Sequence, residues 1–171
     1  MAKRRRKVQG KAESELTPAS GLGRIGSELP QRTFAIFATT LLLALTWLIY
    51  ANSLKGEFTN WDDTILVVNN ADIKSLAPTD VARIFTPVPG NTYQPVRVLS
   101  YAIDYSLWEL NPVGYHIVNT LFHTLAGILL FFCLSAMLAR LRPGKELDNR
   151  LIALLAAVIW ICHPVNVESV A

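Results

Sequence analysis

The chain has 171 residues, 51% of them hydrophobic and 17% charged, with a net charge of +3. That is more apolar than an average soluble domain, and the apolar residues fall in blocks rather than being spread evenly. An ordinary soluble domain is excluded on this pattern, and two cysteines do not make a disulfide framework.

The chain opens "MAKRRRKVQGK", with six Lys or Arg residues in its first eleven. Such a run suits nucleic acid or a membrane surface. No other nucleic-acid element accompanies it, and upstream of an uncleaved span it obeys the positive-inside rule. Residues 1–32 therefore read as a basic, flexible cytoplasmic tail, and no nucleic acid is expected as a partner. Next comes "FAIFATTLLLALTWLIYA", inside a charge-free stretch between Arg32 and Lys55. About 20 apolar residues suffice to cross the hydrocarbon of a bilayer. A cleavable signal peptide has a shorter apolar region and a shorter leader than this, so residues 33–51 are predicted to be a first transmembrane helix.

Residues 52–115 form a long connection in which Lys55, Lys74, Arg83 and Arg97 are outnumbered by Glu57, Asp62, Asp63, Asp72, Asp80, Asp104 and Glu109. That balance places the loop outside, opposite the basic tail. The loop keeps a regular supply of apolar side chains and is predicted to be structured, with short interfacial helices. "FTNWDDTILVVNN" puts two adjacent carboxylates, Asp62 and Asp63, before a run compatible with a strand or the end of a short helix. "APTDVARIF" has Pro78 and Thr79 at a helix start and Asp80 in the first turn, where the helix dipole favours it. "PVRVLSYAIDYSLWEL" sets Val98, Tyr101, Ala102, Tyr105 and Trp108 on one helical face, an aromatic stripe of the kind favoured at headgroup level.

A second charge-free run lies between Glu109 and Arg140 and predicts a transmembrane helix at 116–139. His116, Asn119 and His123 share one face of its first turns, extended by Thr120 and Thr124. Residues 140–150, "RLRPGKELDNR" from Arg140, are basic and read as a cytoplasmic loop. A third helix with an outer-edge motif is predicted over 151–171, ending "ICHPVNVESVA", which brings His163, Asn166 and Glu168 to the same boundary layer. Cys133 and Cys162 fall within these spans and are expected to pack as small apolar side chains. The fold class is thus all-α integral membrane, with three transmembrane helices and a structured extracytoplasmic loop.

Polar groups at membrane depth usually face a bundle interior or a wet cavity. Taken one by one, His and Asn here suit helix–helix hydrogen bonds. Together they suggest a cavity for a substrate with a lipid tail and a polar head. Three histidines raise the question of zinc, but their spacing matches no compact ligand motif.

"NSLKGEFTNWDDTILVVNN", "YQPVRVLSYAIDYSLWELNPVGYHIVNTLFH" and "HPVNVESVA" resemble, in this order, the transmembrane O-mannosyltransferase-like proteins with tetratricopeptide repeats, members of the C-type glycosyltransferase superfamily. The resemblance spans residues 50–171. It departs from the family where Gln94 stands in the position that often holds Arg, an arginine following at Arg97. Because family members continue into many more spans and a repeat domain, the resemblance implies an N-terminal fragment, inactive alone.

The resemblance implies a hexosyltransferase moving a sugar, mannose by the family's name, from a polyprenyl- or dolichyl-phosphate carrier to an acceptor protein's hydroxyl. Asp62 and Asp63 match the family's catalytic acidic motif, with Asp62 slightly preferred. Arg97, His116, Asn119, His123, His163 and Glu168 are the expected substrate-binding set. No cofactor is identified, and a divalent cation is left open. Absent Asn-x-Ser/Thr sites lean toward a bacterial inner membrane over the endoplasmic reticulum. The alternative is a non-catalytic membrane anchor or assembly scaffold whose outer loop binds a partner. A transporter half ranks last, since no paired Gly/Pro interruption marks broken helices.

Overall fold

The computed structural model describes residues 31–59, 61–88, 90 and 92–170. The basic tail expected over 1–32 lies almost wholly outside them. Its first described element is α1, Gln31–Ile49. The long connection contains two short helices, α2 (Pro78–Ile84) and α3 (Pro95–Trp108). It is followed by α4 (Pro112–Leu141) and α5 (Glu146–Cys162), and by the short α6 (Val167–Val170). No strand occurs among the described residues. α1 and α4 are long and apolar enough to cross a membrane; α5 and the Pro164–Val170 segment that contains α6, bent by 50° at their junction, add a third span if the pair counts as one. Among the described residues the fold is all-α, with the two or three candidate spans of an integral membrane protein.

Each long helix shows one buried stripe and one exposed apolar face, as expected for helices between neighbours and lipid. In α1 the stripe is Phe34, Ala38, Leu42 and Thr46, spaced by four. It meets Phe131 of α4 and Ala153, Leu154, Ala157 and Ile161 of α5 in one core. Small residues let these helices approach closely. Ala38, Ala153 and Ala157 are fully buried, and a Cβ added at Gly127 would come within 2.5 Å of Ile161 Cγ2. On the other side of α4, Leu121, Phe122, Leu125, Leu129 and Phe132 are exposed and suit hydrocarbon. The thiols of Cys133 and Cys162 are free and lie on exposed helix surfaces.

The turn between α4 and α5 is short, residues 142–145, because Asn149 substitutes for it. Its Nδ2 donates to the carbonyls of Leu138, which also accepts the Arg142 N–H, and of Arg142 just past the α4 C-terminus. At the opposite end of these helices lies the loop, and it has its own small core. Val67, Ile73, Ile84, Ala102 and Tyr115 are buried there, with Phe58, Leu66, Val98, Tyr101 and Tyr105 packed against them. The "TILVV" run left open by sequence is a π-helical turn, Thr64–Val68. Lys74 ties it to α3: its Nζ donates to the Val68 carbonyl at 3.2 Å and sits 4.2 Å from the centre of the Tyr105 ring. Most of the aromatic stripe of α3 thus points into this core rather than to headgroups. Lipid-like exposure belongs to another part of α3, at Val96, Ile103 and Leu107.

Candidate functional site

A cavity of about 900 Å³ opens where the loop meets the first turns of α4 and the end of the chain at α6. Its walls come from four places: the segment around Gly56–Asp63, α3 through Arg97 and Tyr101, α4 through Tyr115, His116 and Asn119, and α6 through Glu168 and Ser169. Asp62, Asp63, Arg97, His116, Asn119 and Glu168, six of the residues singled out in the sequence, therefore share one space. His123 and His163 do not line it.

The two carboxylates differ. Asp63 is committed to the loop, its Oδ2 accepting the Thr59 N–H at 2.8 Å and the Thr59 hydroxyl at 3.1 Å. Asp62 is exposed and makes no hydrogen bond or ion pair among the described residues. Facing them are buried polar atoms with no partner among the described residues: the Arg97 Nε donor and both ring nitrogens of His116. Buried polar atoms are normally bonded, so orphans on a cavity wall mark a place where a ligand's polar atoms fit. Gly56 makes room for the imidazole; a Cβ there would come 3.1 Å from His116 Nε2. Burial pushes the Tyr101 phenol above its ordinary 10.0; Arg97 opposes this, while Asp63, Asp104 and Asp62 add to it. Tyr101 therefore keeps its proton at neutral pH and can donate to a ligand.

The remaining polar strip serves the helices. Thr120 and Thr124 donate to the carbonyls of His116 and Thr120, four residues earlier. His123 is buried, stacked on Trp160 with ring centres 4.7 Å apart, and its Nε2 donates to the Ile161 carbonyl at 3.2 Å. His163 is exposed, and its Nδ1 accepts the Val165 N–H. Among the described residues no three His, Cys, Asp or Glu side chains are grouped to hold a metal ion. Sequence reasoning missed Trp61, Tyr101 and Tyr115 on the cavity wall. The signal for Trp61 was its place beside the acidic pair, and the other two lay in motifs already noted.

The chain is 30% identical over 143 residues to protein O-mannosyl-transferase TMTC1 of Mus musculus, and 31% identical over 157 residues to TMTC4 of Homo sapiens. It is homologous to the TMTC protein O-mannosyl-transferases. The TMTC3 of Mus musculus matches at 30% over 139 residues. These matches cover 78%, 84% and 77% of this chain but only 14%, 21% and 14% of the relatives, so the chain spans about a seventh to a fifth of their length. No family model matches the chain, and no solved structure does.

Proposed function

We propose that this chain supplies part of the active site of a membrane glycosyltransferase. The enzyme moves a hexose, mannose by the names of the relatives, from a polyprenyl- or dolichyl-phosphate to a protein hydroxyl. The observation that carries this reading is a cavity that joins an unpartnered carboxylate to the unpartnered polar atoms of Arg97 and His116. In it, Asp62 accepts the proton of the acceptor hydroxyl as that oxygen bonds to the anomeric carbon. The bond from that carbon to the carrier phosphate breaks, and the phosphate leaves with the electron pair. Arg97 and His116 are assigned to hold this phosphate, since a guanidinium suits phosphate oxygens and charge developing there is stabilised by preset donors. Asp63 holds the Thr59 turn that presents Asp62. Asn119 and Glu168 contact sugar or acceptor hydroxyls.

The charge pattern supports a cytoplasmic N-terminus and a cavity on the extracytoplasmic side. The relatives named above are mouse and human proteins, so a bacterial inner membrane rests on the absent Asn-x-Ser/Thr sites alone. The isolated 171-residue chain is expected to transfer no sugar, because so few helices leave a lipid-linked donor largely unenclosed. Transfer of labelled mannose from a polyprenyl phosphate by the full-length protein tests the reading. Asp62→Asn is expected to lower the rate about 100- to 10,000-fold at unchanged protein level. Asp63→Asn lowers it through the Thr59 turn. Normal transfer by both variants would overturn the catalytic assignment.

A further inference from the structure

The apolar run of α5 ends at a built break. Residue 164 is proline, so it has no N–H for the Trp160 carbonyl four residues earlier, and its ring pushes the residue before it out of helical backbone. His163 accordingly takes φ −72° and ψ 127°, and the helices on either side meet at 50°. A break at membrane depth leaves carbonyls in need of donors. Here they are supplied. The Trp160 carbonyl receives Asn166 Nδ2 at 2.7 Å and the His163 N–H at 3.2 Å. The Ile161 carbonyl, whose helical donor would be the Val165 N–H, receives His123 Nε2 from α4 at 3.2 Å. That Val165 N–H goes to His163 Nδ1, and the Asn166 N–H to the His163 carbonyl. Three polar side chains from both sides of the α4–α5 contact are committed to one bend.

We infer that the Pro164 break is a positioning device that turns Glu168 into the cavity, with Asn166 and His123 as its positioning residues. Continued straight, α5 would carry residues 164–170 roughly 10 Å further along its own axis, at about 1.5 Å per residue. Bent, the chain packs α6 against α4, buries Val170 to 3% exposure as an anchor, and lays Glu168 and Ser169 on the cavity wall. His123 and Asn166 reach no ligand themselves. They act by fixing where Glu168 stands, and only the activity arm of the test below rests on the transferase reading.

Pro164→Ala restores the missing N–H and lets the helix straighten. The chain is placed in lipid nanodiscs with Cys133→Ser and Cys162→Ala, and spin labels are attached after Glu57→Cys and Ser169→Cys, two positions on the cavity wall. Pulsed EPR is expected to give a narrow, short distance with Pro164 present. With Pro164→Ala the distance lengthens by several ångström, on the order of the helix rise involved, while thermal stability holds or rises. Asn166→Leu, similar in size but lacking the donor, broadens the distribution and adds nothing to Pro164→Ala. An unchanged distribution with Pro164→Ala overturns the inference. Should that variant not fold, an unbroadened distribution with Asn166→Leu overturns it instead. In the full-length protein, Pro164→Ala and Glu168→Gln each lower kcat about 10- to 100-fold, and the double variant no further. An EPR shift with unchanged kcat supports the device and counts against the transferase reading.

Discussion

The contact between α4 and α5 gives the sharpest test of the packing. At Gly127 an added Cβ would lie 2.5 Å from Ile161 Cγ2, and Ile161 is fully buried. Carbon atoms rest at about 3.5–4.0 Å, so Gly127→Ala must part the helices by roughly 1 Å or force Ile161 off its rotamer. Overpacking of this kind costs about 1–3 kcal/mol. The helix gains up to about 1 kcal/mol from replacing glycine by alanine, which blurs the single variant. Ile161→Leu separates the two, because leucine has no γ2 methyl and conserves volume. In the parent, Gly127→Ala is expected to destabilise or to be neutral; in the Ile161→Leu background it is expected to stabilise. The difference between backgrounds should be about 1–3 kcal/mol, read by equilibrium denaturation in mixed micelles with far-UV circular dichroism. Equal effects in both backgrounds would refute the steric account.

Asp104 is buried in the loop, makes no hydrogen bond among the described residues, and burial raises its carboxyl above the ordinary 3.8. The folded loop therefore holds this proton more tightly than the unfolded chain. Stability is greatest below 3.8 and falls as pH rises through the raised folded value. Asp104→Asn is expected to remove that fall and stabilise the loop at pH 7, measured by amide exchange over residues 64–108 between pH 4 and 8; an unaltered pH dependence would refute it. At Gly114 a Cβ would overlap the Trp108 ring, so Gly114→Ala is expected to expel Trp108 and cost about 1–3 kcal/mol. Tryptophan fluorescence should shift to the red, and Trp108→Ala should relieve the penalty.

Wherever a signal was local, the sequence was readable. Charge-free runs and Pro78 located α1, α2 and α4, and the acidic pair with Arg97 and His116 pointed to the residues that share the cavity. Face assignments failed where a helix has two apolar sides. α3 carries both its aromatic stripe and an apolar run at Val96, Ile103 and Leu107, and periodicity cannot tell which of them packs inward. His123 and His163 were ambiguous for a different reason. A histidine completing a broken helix and one contacting substrate have the same spacing in sequence, and only the partner atom, here the Ile161 carbonyl, distinguishes them. The break was not read from the sequence, which set 151–171 as one span, although Pro164 with its missing N–H was the signal for it.

Asn149 gives the α4–α5 hairpin an asymmetric mechanics. Holding the carbonyls of Leu138 and Arg142 at once, it fastens the two helices at the turn, so the pair behaves as a lever with its pivot there. Ile161 lies twelve residues along α5, roughly 18 Å away at about 1.5 Å per residue. A tilt of about 3° at the pivot then moves the far end by about 1 Å, the scale on which misplaced groups cost about 100-fold in rate. Asn149 thus sets a tolerance on the cavity from the opposite end of the bundle, and loosening the pivot is a way to detune the site while leaving every wall residue in place.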